Sequence, residues 1–277
     1  MGLFDGCILA CDIDGTLLIN GYINPRNVEK IDFFMSEGGF FSLATGRTVG
    51  AVSTVLRALK SVSPSVVANG CMIYDFERQK ILSEKCIDKA DYRIAETVFN
   101  YLPEVGIEIH SGSDVLVLRQ TAETDDHQRY EELSSQNVSF EEACRYNWNK
   151  VLYLFSEENS RLKTKEIISA CKTHSDFVDT SATLYGRKRN YYEQTPVGIN
   201  KASGLLELCK IQKIKKGGFF AIGDYYNDLE MIKKADISAV PSESPDDIKA
   251  YADFIAGTCR DGAVADFIEY LTKIRKD

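Results

Sequence analysis

Short apolar runs alternate with helical periods along the first eighty residues of the chain. Three apolar runs are bounded by Asp, Gly or Asn, at residues 7–12, 40–44 and 65–68. Such runs are typical of buried parallel strands. Between them, an apolar stripe predicts a helix over 26–37 that ends at Gly38, and a second helix is predicted over 48–60. This order predicts an α/β fold with a doubly wound, Rossmann-like parallel sheet.

The pattern changes after about residue 82, where helices and short strands follow in α+β order to about residue 193. The strand and helix rhythm then returns, with a helix over 201–209 and a strand over 218–223. We therefore predict a core domain of residues 1–82 and 190–277. Residues 83–189 are predicted to form an inserted α+β cap domain.

Composition narrows the class of protein. The 277 residues are 44% hydrophobic and carry a net charge of −8, which disfavours nucleic-acid binding because phosphate backbones would be repelled. The eight cysteines include no CxxC pair, so no local zinc site is predicted. No signal-like N-terminus and no apolar run of about 20 residues is present, so we expect a cytoplasmic protein that does not bind membranes.

Two carboxylates follow the first predicted strand, in Asp12-Ile13-Asp14-Gly15-Thr16. Asp is disfavoured inside strands, but ligands bind at the carboxyl ends of parallel strands, where Asp12 would lie. The alternative is an ordinary acidic turn, since Asp and Gly both favour turns. Partner residues elsewhere in the chain must therefore decide between a functional site and an ordinary turn.

A second acidic group, Gly223-Asp224-Tyr225-Tyr226-Asn227-Asp228, follows another apolar strand. Two parallel strands ending in Asp would bring Asp12, Asp14 and Asp224 to one crevice, where Mg²⁺ would offset their repulsion. Alternatively, Asp224 caps the next helix, and Asn227 and Asp228 sit in its first turn. If a metal binds here, Asn227 and Asp228 would instead hold the metal's water ligands and a lysine in position.

Two further groups suit an anion. Thr45-Gly46-Arg47 offers a hydroxyl, an open backbone amide and a guanidinium just before a helix, although Thr45 could simply cap that helix. Lys201 begins a predicted helix, where a cation is unfavourable, so either it has a local partner or it is an ordinary exposed lysine. Together these residues suit phosphoryl transfer, with Asp12 as nucleophile and Asp14 as general acid and base.

These motifs resemble those of the haloacid dehalogenase superfamily and, within it, the Cof-type phosphatases. The resemblance covers the family's four motifs in order, and these are Asp12 to Thr16, Thr45-Gly46-Arg47, Lys201, and Gly223 to Asp228. Asn69-Gly70 and Arg260-Asp261-Gly262-Ala263 also resemble segments of the family. It implies that Mg²⁺ is held by the Asp12 carboxylate, the Asp14 carbonyl and Asp224. It also implies that Thr45, Gly46, Arg47, Asn69 and Lys201 bind substrate, that Asn227 and Asp228 support metal and lysine, and that the insertion is a large α/β cap.

The expected activity is hydrolysis of small phosphate monoesters, either sugar phosphates or phosphorylated cofactors, through an aspartyl-phosphate. The expected partner is a small phosphorylated metabolite, bound by a monomer or a homodimer. A phosphosugar mutase is the alternative enzyme, and a non-catalytic phosphosugar sensor is the alternative outside catalysis. The chain departs from the Cof-type pattern in one loop. It has Ala239-Val240-Pro241-Ser242-Glu243 where Cof-type relatives usually carry Ala-Met-Gly-Asn-Ala, and Pro241 and Glu243 change the character of that loop. The departure affects the prediction of the substrate more than that of the hydrolytic chemistry.

Overall fold

The computed structural model describes residues 2–59, 61–184 and 187–276, except for the side chains at 53, 54, 180–184 and 187–189. The chain folds into two compact units. The first comprises Met1–Gly46, Val52–Ser83 and Asn200–Asp277, and the second comprises Arg47–Ala51 and Glu84–Ile199. In the described part of the chain, no helix is long and apolar enough to cross a bilayer.

The regular elements of the described residues follow one another in this order along the chain. The strands are β1 (Ile8–Cys11), β2 (Leu18–Ile19), β3 (Tyr22–Ile23), β4 (Phe40–Leu43), β5 (Ser65–Val67), β6 (Met72–Asp75), β7 (Lys80–Glu84), β8 (Gly106–Ser111), β9 (Asp114–Arg119), β10 (Gln136–Asn137), β11 (Lys150–Leu154), β12 (Ser175–Leu184), β13 (Arg187–Pro196), β14 (Phe219–Ile222), β15 (Ile237–Val240) and β16 (Phe254–Ile255). The α-helices are α1 (Pro25–Ser36), α2 (Val49–Leu56), α3 (Tyr92–Tyr101), α4 (Ala122–Glu131), α5 (Phe140–Ala143), α6 (Glu158–Ala170), α7 (Lys201–Ile211), α8 (Leu229–Lys234), α9 (Asp246–Lys249) and α10 (Ala263–Ile274).

A five-stranded parallel sheet forms the centre of the first unit, in the order β16-β15-β14-β1-β4. All four residues of β1 and of β14 are buried, as their apolar sequences require. The predicted α/β fold with a doubly wound parallel sheet is confirmed. Cys11 is paired with both Ile222 and Leu43, so β1, β14 and β4 end at the same level.

The third predicted strand differs from expectation. Strand β5 is joined to the end of β4 by a single parallel bridge, between Ala44 and Val66. Its regular pairing is antiparallel to β6, in a three-stranded sheet that also contains β7. The strand exists where the apolar run predicts it, but its pairing depends on β6, which follows within a few residues.

The second unit contains a six-stranded sheet in the order β10-β9-β8-β11-β13-β12. Apolar residues of β8, β9 and β11 pack with those of α3 and α6 in one core cluster. Strand β13 pairs with β11 as far as Gln194 and with β12 as far as Pro196. Because this pairing continues past residue 190, residues 190–199 lie in the second unit, and the chain returns to the first unit later than the predicted boundary.

Candidate active site

Asp12 and Asp224 follow neighbouring strands that end side by side. Asp12 comes directly after β1, and its backbone N–H donates to the carbonyl of Ile222 at 3.0 Å. Asp224 comes two residues after Ile222, at the end of β14. The two carboxylates therefore lie at the same edge of the sheet, as expected for residues that follow neighbouring parallel strands.

Three carboxylates meet at that edge. Oxygens of Asp12, Asp224 and Asp228 lie within 4.8 Å of one another. Lys201 Nζ lies 2.6 Å from Oδ1 of Asp12 and 2.7 Å from Oδ1 of Asp228. Its side chain is only 1% exposed, so the cation is enclosed with its partners. The cluster holds three acidic groups against one lysine, and this excess of acid suits a further cation.

The start of α7 explains how Lys201 reaches this position. Asn200 caps the helix, and its side chain accepts a hydrogen bond from the Ser203 N–H at 2.9 Å. Lys201 is therefore the first residue of α7, where the helix dipole disfavours a positive charge. Asp12 and Asp228 supply the compensating charge, so Lys201 has a local partner and is not the exposed lysine of the alternative interpretation.

Asp228 is already engaged by donors from the protein. Its Oδ1 accepts from Lys201, and its Oδ2 accepts from the backbone N–H groups of Asp224 and Tyr225 at 3.1 and 3.2 Å. It thus holds the lysine and the loop after β14. The carboxylates of Asp12 and Asp224 are the better candidates to bind a metal ion directly.

The turn after β1 is built around Asp224. Thr16 Oγ1 donates to Oδ1 of Asp224 at 3.1 Å. Gly15 has a φ of +90°, and a Cβ at this position would lie 2.4 Å from Oδ2 of Asp224. The motif therefore needs glycine at 15 for its backbone conformation and for space. No role was predicted for Thr16 from the sequence, although it lies in the same motif as Asp12.

Burial and mutual repulsion disfavour the ionised carboxylates. Burial raises the pKa of Asp12 to about 7, with Lys201 opposing the rise and Asp228 adding to it. Burial, together with the charges of Asp12 and Asp228, raises the pKa of Asp224 well above its ordinary range. A divalent cation bound between Asp12 and Asp224 would favour their charged forms. The all-oxygen donor set is the kind that Mg²⁺ prefers.

Thr45, Gly46 and Asn69 lie together in the first unit. Thr45 is buried after β4, and its carbonyl accepts from the Asn69 N–H at 2.9 Å. A Cβ on Gly46 would lie 3.0 Å from the Asn69 amide oxygen. Gly70 has a φ of +101°, and a Cβ there would lie 2.1 Å from the carbonyl oxygen of Asn200. This close approach joins the Asn69 turn to the residue before Lys201.

Three further predicted site residues also lie outside the carboxylate cluster. Asp14 is half-buried and forms an isolated bridge with Leu18, and its side chain is not among the three clustered carboxylates. Asn227 is exposed. Arg47 lies in the second unit, where its buried guanidinium donates to the Ala51 carbonyl at 3.3 Å. The roles assigned to these three residues stay predictions.

The loop that departs from the Cof-type pattern connects to the C-terminal segment. Pro241 is buried, whereas Glu243 is exposed. Glu243 Oε1 accepts a hydrogen bond from the Cys259 N–H at 2.8 Å. This bond gives Glu243 a structural contact with the segment that leads into α10.

Comparison with known proteins agrees with this geometry. The family of haloacid dehalogenase-like hydrolases matches residues 9–268. The chain belongs to this family. As a haloacid dehalogenase-like hydrolase it is an enzyme, and the resemblance to this superfamily predicted from the motifs is confirmed.

Relatives of this haloacid dehalogenase-like hydrolase cover nearly its whole length. A 5-amino-6-(5-phospho-D-ribitylamino)uracil phosphatase of Bacillus subtilis is 25% identical, over 95% of this chain and 97% of its own. A pyridoxal phosphate phosphatase of Escherichia coli is 22% identical, over 94% of this chain and 97% of its own. A haloacid dehalogenase-like hydrolase from Bacteroides thetaiotaomicron has the same fold, with a TM-score of 0.82 at 21% identity, over 96% of this chain and 99% of its own.

Proposed function

We propose that this protein is a Mg²⁺-dependent phosphatase that hydrolyses small phosphate monoesters through an aspartyl-phosphate on Asp12. The observation that carries the proposal is the buried contact between Lys201, Asp12 and Asp228, with Asp224 beside it. A carboxylate nucleophile, a fixed cation and a pair of metal-binding oxygens meet there. Phosphoryl transfer requires this combination of nucleophile and positive charge.

The two chemical steps use Asp12 and Asp14. In the first, an Asp12 oxygen bonds to phosphorus while the ester bond breaks, and Asp14 gives its proton to the departing alcohol oxygen. In the second, Asp14 takes a proton from water as the water oxygen bonds to phosphorus. The acyl-phosphate bond then breaks, which releases phosphate and restores the Asp12 carboxylate.

The remaining residues bind and orient the phosphoryl group. Lys201 supplies a positive charge, while Thr45 and Gly46 supply a hydroxyl and a backbone N–H. Asp228 holds Lys201 in place through the 2.7 Å contact. Asp12, Asp224 and the Asp14 carbonyl would hold Mg²⁺, which when bound neutralises negative charge on the phosphoryl oxygens.

The small phosphate monoesters proposed as substrates are phosphorylated metabolites, either sugar phosphates or phosphorylated cofactors. Two relatives support that range, since one is named for a phosphoribityl-aminouracil and the other for pyridoxal phosphate. We also propose that the reaction takes place in the cytoplasm and that the enzyme is a monomer or a homodimer. We propose that the second unit, which corresponds to the predicted insertion, serves as the cap domain of this enzyme.

A panel of phosphorylated metabolites tests the proposal. Phosphate release is measured with Mg²⁺ and again with EDTA, and products are separated to detect transfer to another hydroxyl. We expect Mg²⁺-dependent release of free phosphate from at least one monoester. Return of phosphate to a second hydroxyl would identify a mutase instead. Tight phosphosugar binding without turnover across the panel would identify a sensor.

A further inference from the structure

Two exposed tyrosines stand beside the buried acid cluster. Tyr225 and Tyr226 directly follow Asp224 and keep 40% and 52% of their surface exposed. In contrast, Asp12 and Lys201 are almost fully enclosed. Large aromatic side chains at the rim of a polar site are a common means of ligand recognition, because they offer a rigid apolar face at low entropic cost.

Tyr226 is fixed in place by its hydroxyl group. That group contacts both oxygens of Asp247 in α9, at 3.0 and 3.3 Å. Its ring meets the Tyr225 ring edge to face, with centroids 4.9 Å apart and planes at 77°. Tyr226 thus braces the Tyr225 ring, which reduces the entropy that Tyr225 would lose on binding a ligand.

The backbone places Tyr225 next to the proposed phosphate site. Its N–H donates to Oδ2 of Asp228 at 3.2 Å, and the other oxygen of Asp228 accepts from Lys201 at 2.7 Å. One carboxylate therefore links the base of Tyr225 to the lysine that would hold the phosphoryl group. The half-exposed Tyr225 side chain starts from this position, one carboxylate away from that lysine.

We propose that Tyr225, braced by Tyr226, stacks against a planar heteroaromatic ring carried by the phosphate monoester. This inference rests on the proposed phosphatase function and narrows its substrate class. Residues 225–227, the exposed part of this loop, are two tyrosines and one asparagine, and the Tyr226 hydroxyl is already engaged with Asp247, so the loop presents mainly aromatic surface. An aromatic face is suited to stacking on a flat ring.

Two matched substrates test the inference. Pyridoxine 5′-phosphate and ribose 5-phosphate are both phosphate esters of primary alcohols, and the pyridoxine ester lacks an aldehyde that could react with lysine. The ratio of their kcat/KM values is measured for the wild type and for Tyr225→Leu, Tyr225→Phe and Tyr101→Leu. Tyr101 is a control because it is 75% exposed at the end of α3, in the second unit.

The wild type should favour the ring substrate, and Tyr225→Leu should reduce the selectivity ratio by about tenfold or more, mainly through KM. Tyr225→Phe and Tyr101→Leu should retain the wild-type ratio. If the wild type hydrolyses both esters and Tyr225→Leu keeps its ratio, stacking is rejected while the phosphatase function stands. If all variants favour the sugar ester, stacking on a heteroaromatic ring is likewise rejected. If the wild type releases phosphate from neither ester nor from the wider panel, both proposals fail.

Discussion

Lys201 Nζ lies 2.6 Å from Oδ1 of Asp12, although 189 positions separate the two residues in the chain. Burial disfavours the charged lysine, yet the adjacent Asp12 and Asp228 outweigh this effect and raise the pKa of Lys201 above its ordinary value. The cation is therefore permanent at neutral pH. It can hold Asp12 in position and also face an incoming phosphoryl group.

Replacing Lys201 by Met removes the charge while keeping a side chain of similar length. Two carboxylates then remain buried without their cation, so the free energy of unfolding in EDTA should fall by about 3–5 kcal/mol. Phosphatase activity with Mg²⁺ should fall by about a hundredfold to a thousandfold. Urea unfolding and phosphate release check the two effects.

The matched control is Lys210→Met, at an exposed position near the end of the same helix. Its unfolding free energy should change by no more than about 0.5 kcal/mol. If Lys201→Met matched Lys210→Met in unfolding free energy and in phosphatase activity, the stabilising and phosphate-binding roles of Lys201 would be contradicted.

Thr16→Val tests the support of the proposed metal ligand Asp224. The substitution keeps the shape of the side chain but deletes the hydroxyl that donates to Asp224 at 3.1 Å. Groups that orient a ligand typically contribute ten- to a hundredfold to metal affinity. We expect the Mg²⁺ concentration for half-maximal activity to rise by about that factor.

Thr272→Val is the control, because its hydroxyl donates to the Ile268 carbonyl within α10. A Mg²⁺ titration of activity compares the variants. An unchanged midpoint in Thr16→Val would contradict the role of this hydrogen bond in orienting Asp224.

The stability of the second unit should depend on pH through His127. Burial opposes the charged imidazole, but Glu131 and Glu108 outweigh it and raise the pKa of His127 to about 9. His127 Nδ1 lies 2.8 Å from Oε2 of Glu108. In the unfolded chain the pKa is about 6.5, so this stabilisation is complete below that pH and is lost as the pH rises to about 9.

The expected loss is about 3 kcal/mol across that range. Urea unfolding at pH 6, 7.5 and 9 would be compared for the wild type and His127→Gln. The variant should show a weaker pH dependence, whereas His174→Gln, at an exposed position, should follow the wild type. If the wild type were equally stable at all three pH values, a raised pKa of His127 in the folded protein would be contradicted.

The arrangement of the sheet edge could be predicted from sequence because it depends on a general rule. Apolar runs ending in Asp12 and Asp224 identify strands, and parallel strands place such ends together. The position of Asp228 in the carboxylate cluster was less accessible, since a first-turn helix residue can face several directions. The support that Asp228 gives to a lysine was expected, whereas its hydrogen bonds from the Asp224 and Tyr225 N–H groups were not predicted.

The second unit was harder to predict where charge replaces apolar packing. Among the residues of α4, Thr124 and Glu131 are buried, and its sequence has the acidic character of an exposed helix. Instead, His127 and Gln128 bond to Glu108, a fully buried carboxylate on β8. Hydrophobic periodicity carries no information about such contacts, because the partners come from a different element.

The nucleophilic role of Asp12 can be tested by trapping the phosphorylated enzyme. Wild-type protein is mixed with Mg²⁺ and a monoester that it hydrolyses, quenched in acid during the first turnover, and treated with borohydride, which converts an aspartyl-phosphate to homoserine. Peptide mass spectrometry should then find homoserine at position 12, and Asp12→Asn should release no phosphate. Full hydrolysis by Asp12→Asn, or a label on another residue, would contradict Asp12 as the nucleophile.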